Sequence, residues 1–350
     1  MGSEYQPGEV DSGAIPLSSQ VGGHAGVLSS QDGSLIIKPC LHEELEFYTT
    51  LAAAQAAIIA GEDLPFQALA PWAPKFYGTL KLEGEIDRQG TATEDGVSVM
   101  KPVEGSLVLE NVSHPFFKPN ILDIKLGTVL YESDASPEKI ERMTRTAKAT
   151  TSFETGVRLT GFQVYDGTTG QAVVTPKSYG KLIKSSQLPD GIARFFPILE
   201  PINFNADSSS TGGEKSSPRS GGVSGRLLLP VLEGVLELVR ELGVAAQKTE
   251  MRMVGGSVLI VWEGDEETLE AALAAAPIPH VESESESEDE LAEGEGDGAK
   301  KVGPPFTVRL IDFAHTKFAP GQGPDEGVLK GLQTVTKLIE GRIEEVRSKL

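Results

Sequence analysis

Two widely separated stretches of this chain carry charge inside runs that are otherwise apolar, and nothing else in the sequence constrains its folding as much. In Pro-Asn-Ile-Leu-Asp-Ile-Lys-Leu-Gly (residues 119–127), Ile121, Leu122, Ile124 and Leu126 make an apolar strand. The strand period of two then puts Asp123 and Lys125 on one face. In Val-Arg-Leu-Ile-Asp-Phe-Ala-His (308–315) a second apolar strand ends in Asp312. A carboxylate at the end of a buried strand is costly unless it is paired, protonated or bound to a metal. Taken singly, each stretch has an ordinary reading. The first is also a solvent-facing ion pair of little worth, and the second an aspartate that closes a turn. They gain meaning only with company.

That company is present. Residues 33–38 read as a strand ending in Lys38, and 41–59 as an Ala-rich helix with Leu41, Leu45, Tyr48 and Leu51 on one face and Glu44 and Glu46 among its first residues. Phosphoryl transfer needs a strand lysine on the phosphates, paired with a helix glutamate, and a metal-binding carboxylate. It also needs a cover over the nucleotide and a group that orients the acceptor hydroxyl. Each part has a candidate here, the cover being the Gly-rich turn at 21–26, which lacks the full spacing of a kinase Gly-rich loop. A basic cluster, Lys139, Arg142, Arg145 and Lys148, follows a helix start at Ser136-Pro137-Glu138. On a helix a spacing of three drifts around the axis, so these side chains spiral, and Lys148 ends nearly opposite Lys139. A solvated helix face with scattered bases is the plain alternative.

The rest of the chain alternates strand-like stretches (75–82, 96–102, 106–109, 161–165, 171–175 and 257–262) with helices at 230–242, closed by Gly243, and 327–350. Residues 205–225, rich in Ser and Gly, and 277–304, with Ser-Glu alternation, have too few apolar residues to offset the entropy of ordering and read as disordered insertions. Residues 1–16 read as a disordered tail without a signal pattern. An α+β, two-lobed kinase-like fold is expected, with an antiparallel-sheet lobe over 17–112 and a mixed lobe over 113–350. With hydrophobic residues at 39% of 350, a chain of this length can fill such a core. Cys40 is the single cysteine, so no internal disulfide is possible, which fits a reducing compartment. No apolar run is long enough to cross a membrane.

The net charge of −20 argues against direct nucleic-acid binding. Nine acidic residues and no basic one fall between 282 and 297, so much of that charge is local. A polyanionic substrate would need a confined basic pocket, and the tract itself is a candidate surface for protein partners. Ser283, Ser285 and Ser287 each have an acidic residue three positions on, a pattern that fits acid-directed phosphorylation.

Taken in order, these pieces resemble the inositol phosphate kinase family. Its signature P-x-x-x-D-x-K-x-G is met in full by Pro119, Asp123, Lys125 and Gly127. The likeness extends through Val21-Gly22-Gly23-His24, residues 44–48, 74–78, 136–139 and 190–196, and Ile311-Asp312-Phe313-Ala314-His315. Within the family the chain is most similar to the multikinase branch and to its fungal members. The trisphosphate 3-kinases have Gly and Lys where this chain has Ala314 and His315, and they carry a larger substrate-binding insertion than the 33 residues between Gly127 and Gly161. The hexakisphosphate kinases share Asp-Phe-Ala-His and are the second choice. One departure stands out: the family's Ser-Ser-Leu-Leu appears as Gly256-Ser257-Val258-Leu259, with one serine lost.

The resemblance implies ATP and Mg²⁺ as cofactors and inositol phosphates as substrates, in particular the 1,4,5-trisphosphate and tetrakisphosphate on the way to pentakisphosphate. Lys38 would bind ATP phosphates and pair with Glu44. Glu110 and Val112 would offer backbone groups to adenine. Asp123 would contact the ribose or the reacting hydroxyl, Lys125 the transferred phosphoryl group, and Asp312 the metal. His315, Lys139, Arg142 and Arg145 would approach the inositol phosphates, in a segment spanning 131–150. A monomer in nucleus and cytoplasm is expected. The alternative of a different class is a transcription-linked regulatory protein that binds through the acidic tract, but a pure scaffold has no need of Lys38, Asp123, Lys125 and Asp312 together.

Overall fold

The computed structural model describes residues 15–16, 26–61, 66–80, 105–199, 221–275 and 302–350. Two antiparallel five-stranded sheets carry the fold. The first has the order β1-β2-β3-β5-β4, built from β1 (Ile15–Pro16), β2 (Leu28–Ser29), β3 (Leu35–Pro39), β4 (Phe76–Leu80) and β5 (Ser106–Glu110). Helix α1 (His42–Ala60) follows β3 and ends at Gly61, whose φ of 73° closes the helix in the left-handed region. The second sheet has the order β11-β10-β6-β7-β8. It comprises β6 (Pro119–Leu126), β7 (Val157–Tyr165), β8 (Ala172–Thr175), β10 (Ser257–Glu263) and β11 (Phe306–Ile311). A short ribbon pairs β9 (Met251–Met253) with β12 (Thr316–Phe318). This is the expected α+β, two-lobed kinase-like architecture.

Between β6 and β7 lie only α2 (Pro137–Ala149), capped by the Ser136 side chain, and α3 (Ser152–Thr155). Helices α4 (Lys177–Leu182) and α5 (Leu188–Phe195) follow β8, and α7 (Glu266–Ala275) follows β10. The long helices α6 (Gly225–Gln247) and α8 (Glu326–Ser348) pack on each other beside the second sheet. Their apolar stripes (Leu228, Val231, Leu232, Val235 and Leu332, Val335, Ile339) are fully or almost fully buried.

Where the structure departs from sequence expectation, packing is the reason. Helix α6 begins before Pro230 and runs past Gly243 to Gln247, because Leu242, Ala245 and Ala246 are buried and outweigh the poor helix propensity of the glycine. In α1 the buried face is Glu44, Phe47, Tyr48, Leu51, Ala54 and Ala57, while Leu41 and Leu45 are only half-buried. The face turns so that Glu44 points inward. Residues 221–225, expected in an insertion, are packed: Val223 bridges Ile198, and a Cβ on Gly222 would lie 2.1 Å from the Pro197 carbonyl. Residues 15–16, expected in the tail, pair with β2. The ribbon of β9 and β12 and helix α7 had no counterpart in the sequence reading. The strand expected at 96–102 and the turn at 21–25 lie outside the described residues.

Aromatic rings join the two lobes. Phe47 stacks on Phe313 and on Phe318 at 4.5 Å each, Tyr48 meets Phe313 edge-on at 5.3 Å, and Phe66 stacks on Phe318. Phe313 follows Asp312 directly, so this cluster fixes where the Asp312 carboxylate points.

Candidate active site

Three strands deliver the charged groups. Lys38 comes from β3, Asp123 and Lys125 from β6, and Asp312 from the end of β11. Strand β10 lies between β6 and β11, pairing Ser257 with Lys125 on one side and with Ile311 on the other. That shared register carries the two distant charged runs to the same end of the sheet. Asp312 itself has φ 66°, a left-handed conformation that non-glycine residues seldom adopt and that clusters at functional sites. Asp123 sits at a β-bulge: it faces Gly161, while its neighbour Ile124 faces Leu159, so Thr160 is the extra residue. Bulges of this kind re-aim a side chain.

The Lys38 ammonium donates to Glu44 Oε1 at 2.7 Å and to Asp312 Oδ1 at 3.1 Å. Burial opposes its charge, but the Asp312 and Glu44 carboxylates outweigh that and hold its pKa above the ordinary lysine value. Lys125 Nζ lies 3.6 Å from Asp312 Oδ2 and donates to the Gly255 carbonyl at 2.7 Å. Asp123 is 3% exposed, and its Oδ1 has no hydrogen-bond partner among the described residues. Burial pushes its carboxyl above the usual range; Lys125 pulls it back, and Asp312 adds to the rise. Burial keeps the Tyr48 phenol protonated, and the Glu44 and Asp312 carboxylates add to the effect.

A second cluster, of opposite sign, lies on the substrate-segment side. Lys139 at the start of α2, His315 and Lys317 surround the Glu132 carboxylate at 3.8, 3.4 and 3.5 Å. The remaining expected bases are exposed on α2. Arg145 is exposed and pairs with Glu141 at 2.7 Å, and Arg142 is exposed on α2. Lys148 lies over the Phe153 ring at 5.6 Å. Glu46 faces solvent, so Glu44 alone of the two helix glutamates joins Lys38.

At the junction after β5, the Glu110 N–H donates to the Lys75 carbonyl at 2.9 Å, and Val112 is buried. Between them, the Asn111 side chain donates to the Gly33 carbonyl at 2.7 Å and accepts from the Ser113 N–H, bracing this turn against the loop before β3.

Sequence reasoning missed Glu132 and Lys317, which look like any charged surface residues. It also missed the Gly255 carbonyl, which no side chain announces. The lost serine has a structural counterpart: a Cβ on Gly256 would lie 1.7 Å from Met253 Cε, so a methionine side chain fills the space.

In comparisons with known proteins, a family profile for inositol polyphosphate kinases matches residues 106–340. The inositol polyphosphate multikinase of Saccharomyces cerevisiae is 30% identical, over 91% of this chain and 96% of its own length. That of Schizosaccharomyces pombe is 31% identical over 51% of this chain and 61% of its own. Inositol hexakisphosphate kinase 1 of Rattus norvegicus is 28% identical over 68% of this chain and 52% of its own. Among solved structures, inositol phosphate multikinase Ipk2 from S. cerevisiae, in complex with ADP and Mn²⁺, superposes with a TM-score of 0.60 at 25% identity. That match covers 89% of this chain and 100% of the other.

Proposed function

The chain belongs to the inositol polyphosphate kinase family, and on that premise we propose that it transfers the γ-phosphate of ATP to inositol 1,4,5-trisphosphate and then to the tetrakisphosphate product, towards pentakisphosphate. One observation carries the reading: Lys38 of the first sheet bridges Glu44 and Asp312, while Lys125 of the second sheet lies against the other oxygen of Asp312. A lysine fixed by a helix glutamate and facing a strand-end aspartate is the arrangement kinases use around nucleotide phosphates.

In this reading Lys38 neutralises the ATP phosphates. At the junction between lobes the Glu110 carbonyl and the Val112 backbone receive adenine; the Glu110 N–H is already committed to Lys75. Asp312 would hold the divalent ion, Mg²⁺ in our proposal, with Asp123 beside it. The donor set suits a hard cation: Asp312 supplies a carboxylate, and Asp123 offers a buried carboxylate oxygen without a hydrogen-bond donor among the described residues. Magnesium is commonly held by one or two carboxylates, with water and substrate phosphates completing its shell. Once bound, the ion would stabilise charge on the transferred group. Asp123, whose carboxyl is raised by burial, is suited to accept the proton of the attacking hydroxyl. Lys125 faces the phosphoryl oxygens, and Lys139, Arg142 and His315 face the substrate phosphates. Arg145, tied to Glu141 on the surface, contributes least.

With so short a segment between β6 and β7, that side of the site is expected to be open and to accept several isomers. Incubating the purified protein with ATP, Mg²⁺ and a panel of inositol phosphates, and separating the products, tests the reading. Phosphorylation of the trisphosphate and tetrakisphosphate is expected. Pyrophosphate formation confined to hexakisphosphate would replace it with the hexakisphosphate kinase reading, and no turnover on any inositol phosphate would overturn both.

A further inference from the structure

We propose that Glu132 is a specificity residue: it occupies the cationic subsite and limits how much negative charge the substrate pocket accepts. The inference rests on the inositol phosphate reading and deepens it.

Glu132 precedes α2, and its side chain is 17% exposed. Its Oε2 is 3.4 Å from His315 Nδ1 and 3.8 Å from Lys139 Nζ, and its Oε1 is 3.5 Å from Lys317 Nζ. These groups come from the start of α2, the loop after β11 and strand β12, and the one carboxylate gathers all three. The distances are longer than those of charge-assisted hydrogen bonds. His315 Nδ1 is buried without a hydrogen-bond partner, although a carboxylate oxygen lies so near. Glu132 therefore offsets part of the cluster's charge without satisfying its hydrogen-bonding capacity. A phosphate, with three oxygens and more charge, fits these three groups better than a two-oxygen carboxylate does.

A phosphate that takes over Lys139, His315 and Lys317 leaves the Glu132 charge close by, because both belong to the same small cluster. The lysines supply two positive charges and Glu132 removes one. Every further phosphate on the ring then meets a site of lower net charge than the lysines alone would provide. Such like-charge contacts discriminate between ligands more than they change overall affinity.

The test measures KM for the inositol tris- and tetrakisphosphates at low and at high salt. Glu132→Gln should lower KM about threefold for the trisphosphate and about tenfold for the more highly charged ring, a graded effect that shrinks at high salt as screening grows. Lys317→Gln, at a half-exposed position, should do the reverse and raise KM most for the most charged ring. KM for ATP should stay constant in both. A rise of KM in Glu132→Gln, or an equal change for every ring, overturns the inference and leaves a structural role. A wild-type protein that phosphorylates none of these compounds overturns the functional reading itself.

Discussion

Asp123 shows most directly how the site works against the stability of the fold. Its carboxyl is buried and its pKa lies above the ordinary 3.8, with burial the main cause. A carboxyl raised in the folded state contributes stability that is complete below the unfolded value and is lost as pH rises through the folded one. Wherever the group is ionised it is therefore a liability, and there Asp123→Asn should raise the thermal midpoint by about 2 °C or more. The gain should shrink as pH falls and the wild-type carboxyl takes up its proton, while turnover is lost at every pH. Thermal melts across a range of pH decide it; a variant less stable at neutral pH would contradict the account. Asp123, Lys125, Asp312 and Lys38 were legible in the sequence because each interrupts or ends an apolar run. Glu132 and Lys317 were not, because their meaning lies in contacts between elements distant in the chain. The lost serine at 256 was visible as a departure, but only packing showed Met253 in its place.

Strands were the most legible elements, since alternation and turn residues mark their ends, and the β7–β8 hairpin follows the expected pairing. Helix limits were less so: the burial that carries α6 through Gly243 is a property of the core. Asp325 is a carboxylate whose role is structural. Its Oδ1 accepts the Gly327 and Val328 N–H groups at 2.9 and 3.1 Å, capping α8, and its Oδ2 accepts the Met253 N–H at 3.0 Å. The same carboxylate thus fixes the start of α8 and the ribbon of β9 and β12 that carries Lys317. Losing a cap costs about 1 kcal/mol, and leaving a backbone donor unmet adds about 1–3 kcal/mol. Asp325→Ala should therefore lower unfolding stability by about 2–4 kcal/mol in urea, on that same basis. A change within about 0.5 kcal/mol, the range of ordinary surface substitutions, would show that the cap is dispensable.

At the scale of the molecule, a chain of net charge −20 sets Lys38 and Lys125 where the two sheets meet. The excess acid was plain from composition, as was the demand for a confined basic pocket; its location depended on a topology that places β10 between β6 and β11. The aromatic stack of Phe47, Phe313 and Phe318 holds the lobes together, and the Lys38–Asp312 contact crosses the same junction. Asp312 is therefore both the proposed metal ligand and the electrostatic hinge pin of the site, and its substitution tests the central claim most directly. The measurement is kcat of Asp312→Asn on the inositol phosphate the wild type uses best, with circular dichroism to verify folding. The account predicts a loss on the order of 100-fold or more in a folded protein, as expected when transition-state charge loses its main support. A folded variant with near-wild-type kcat would contradict it.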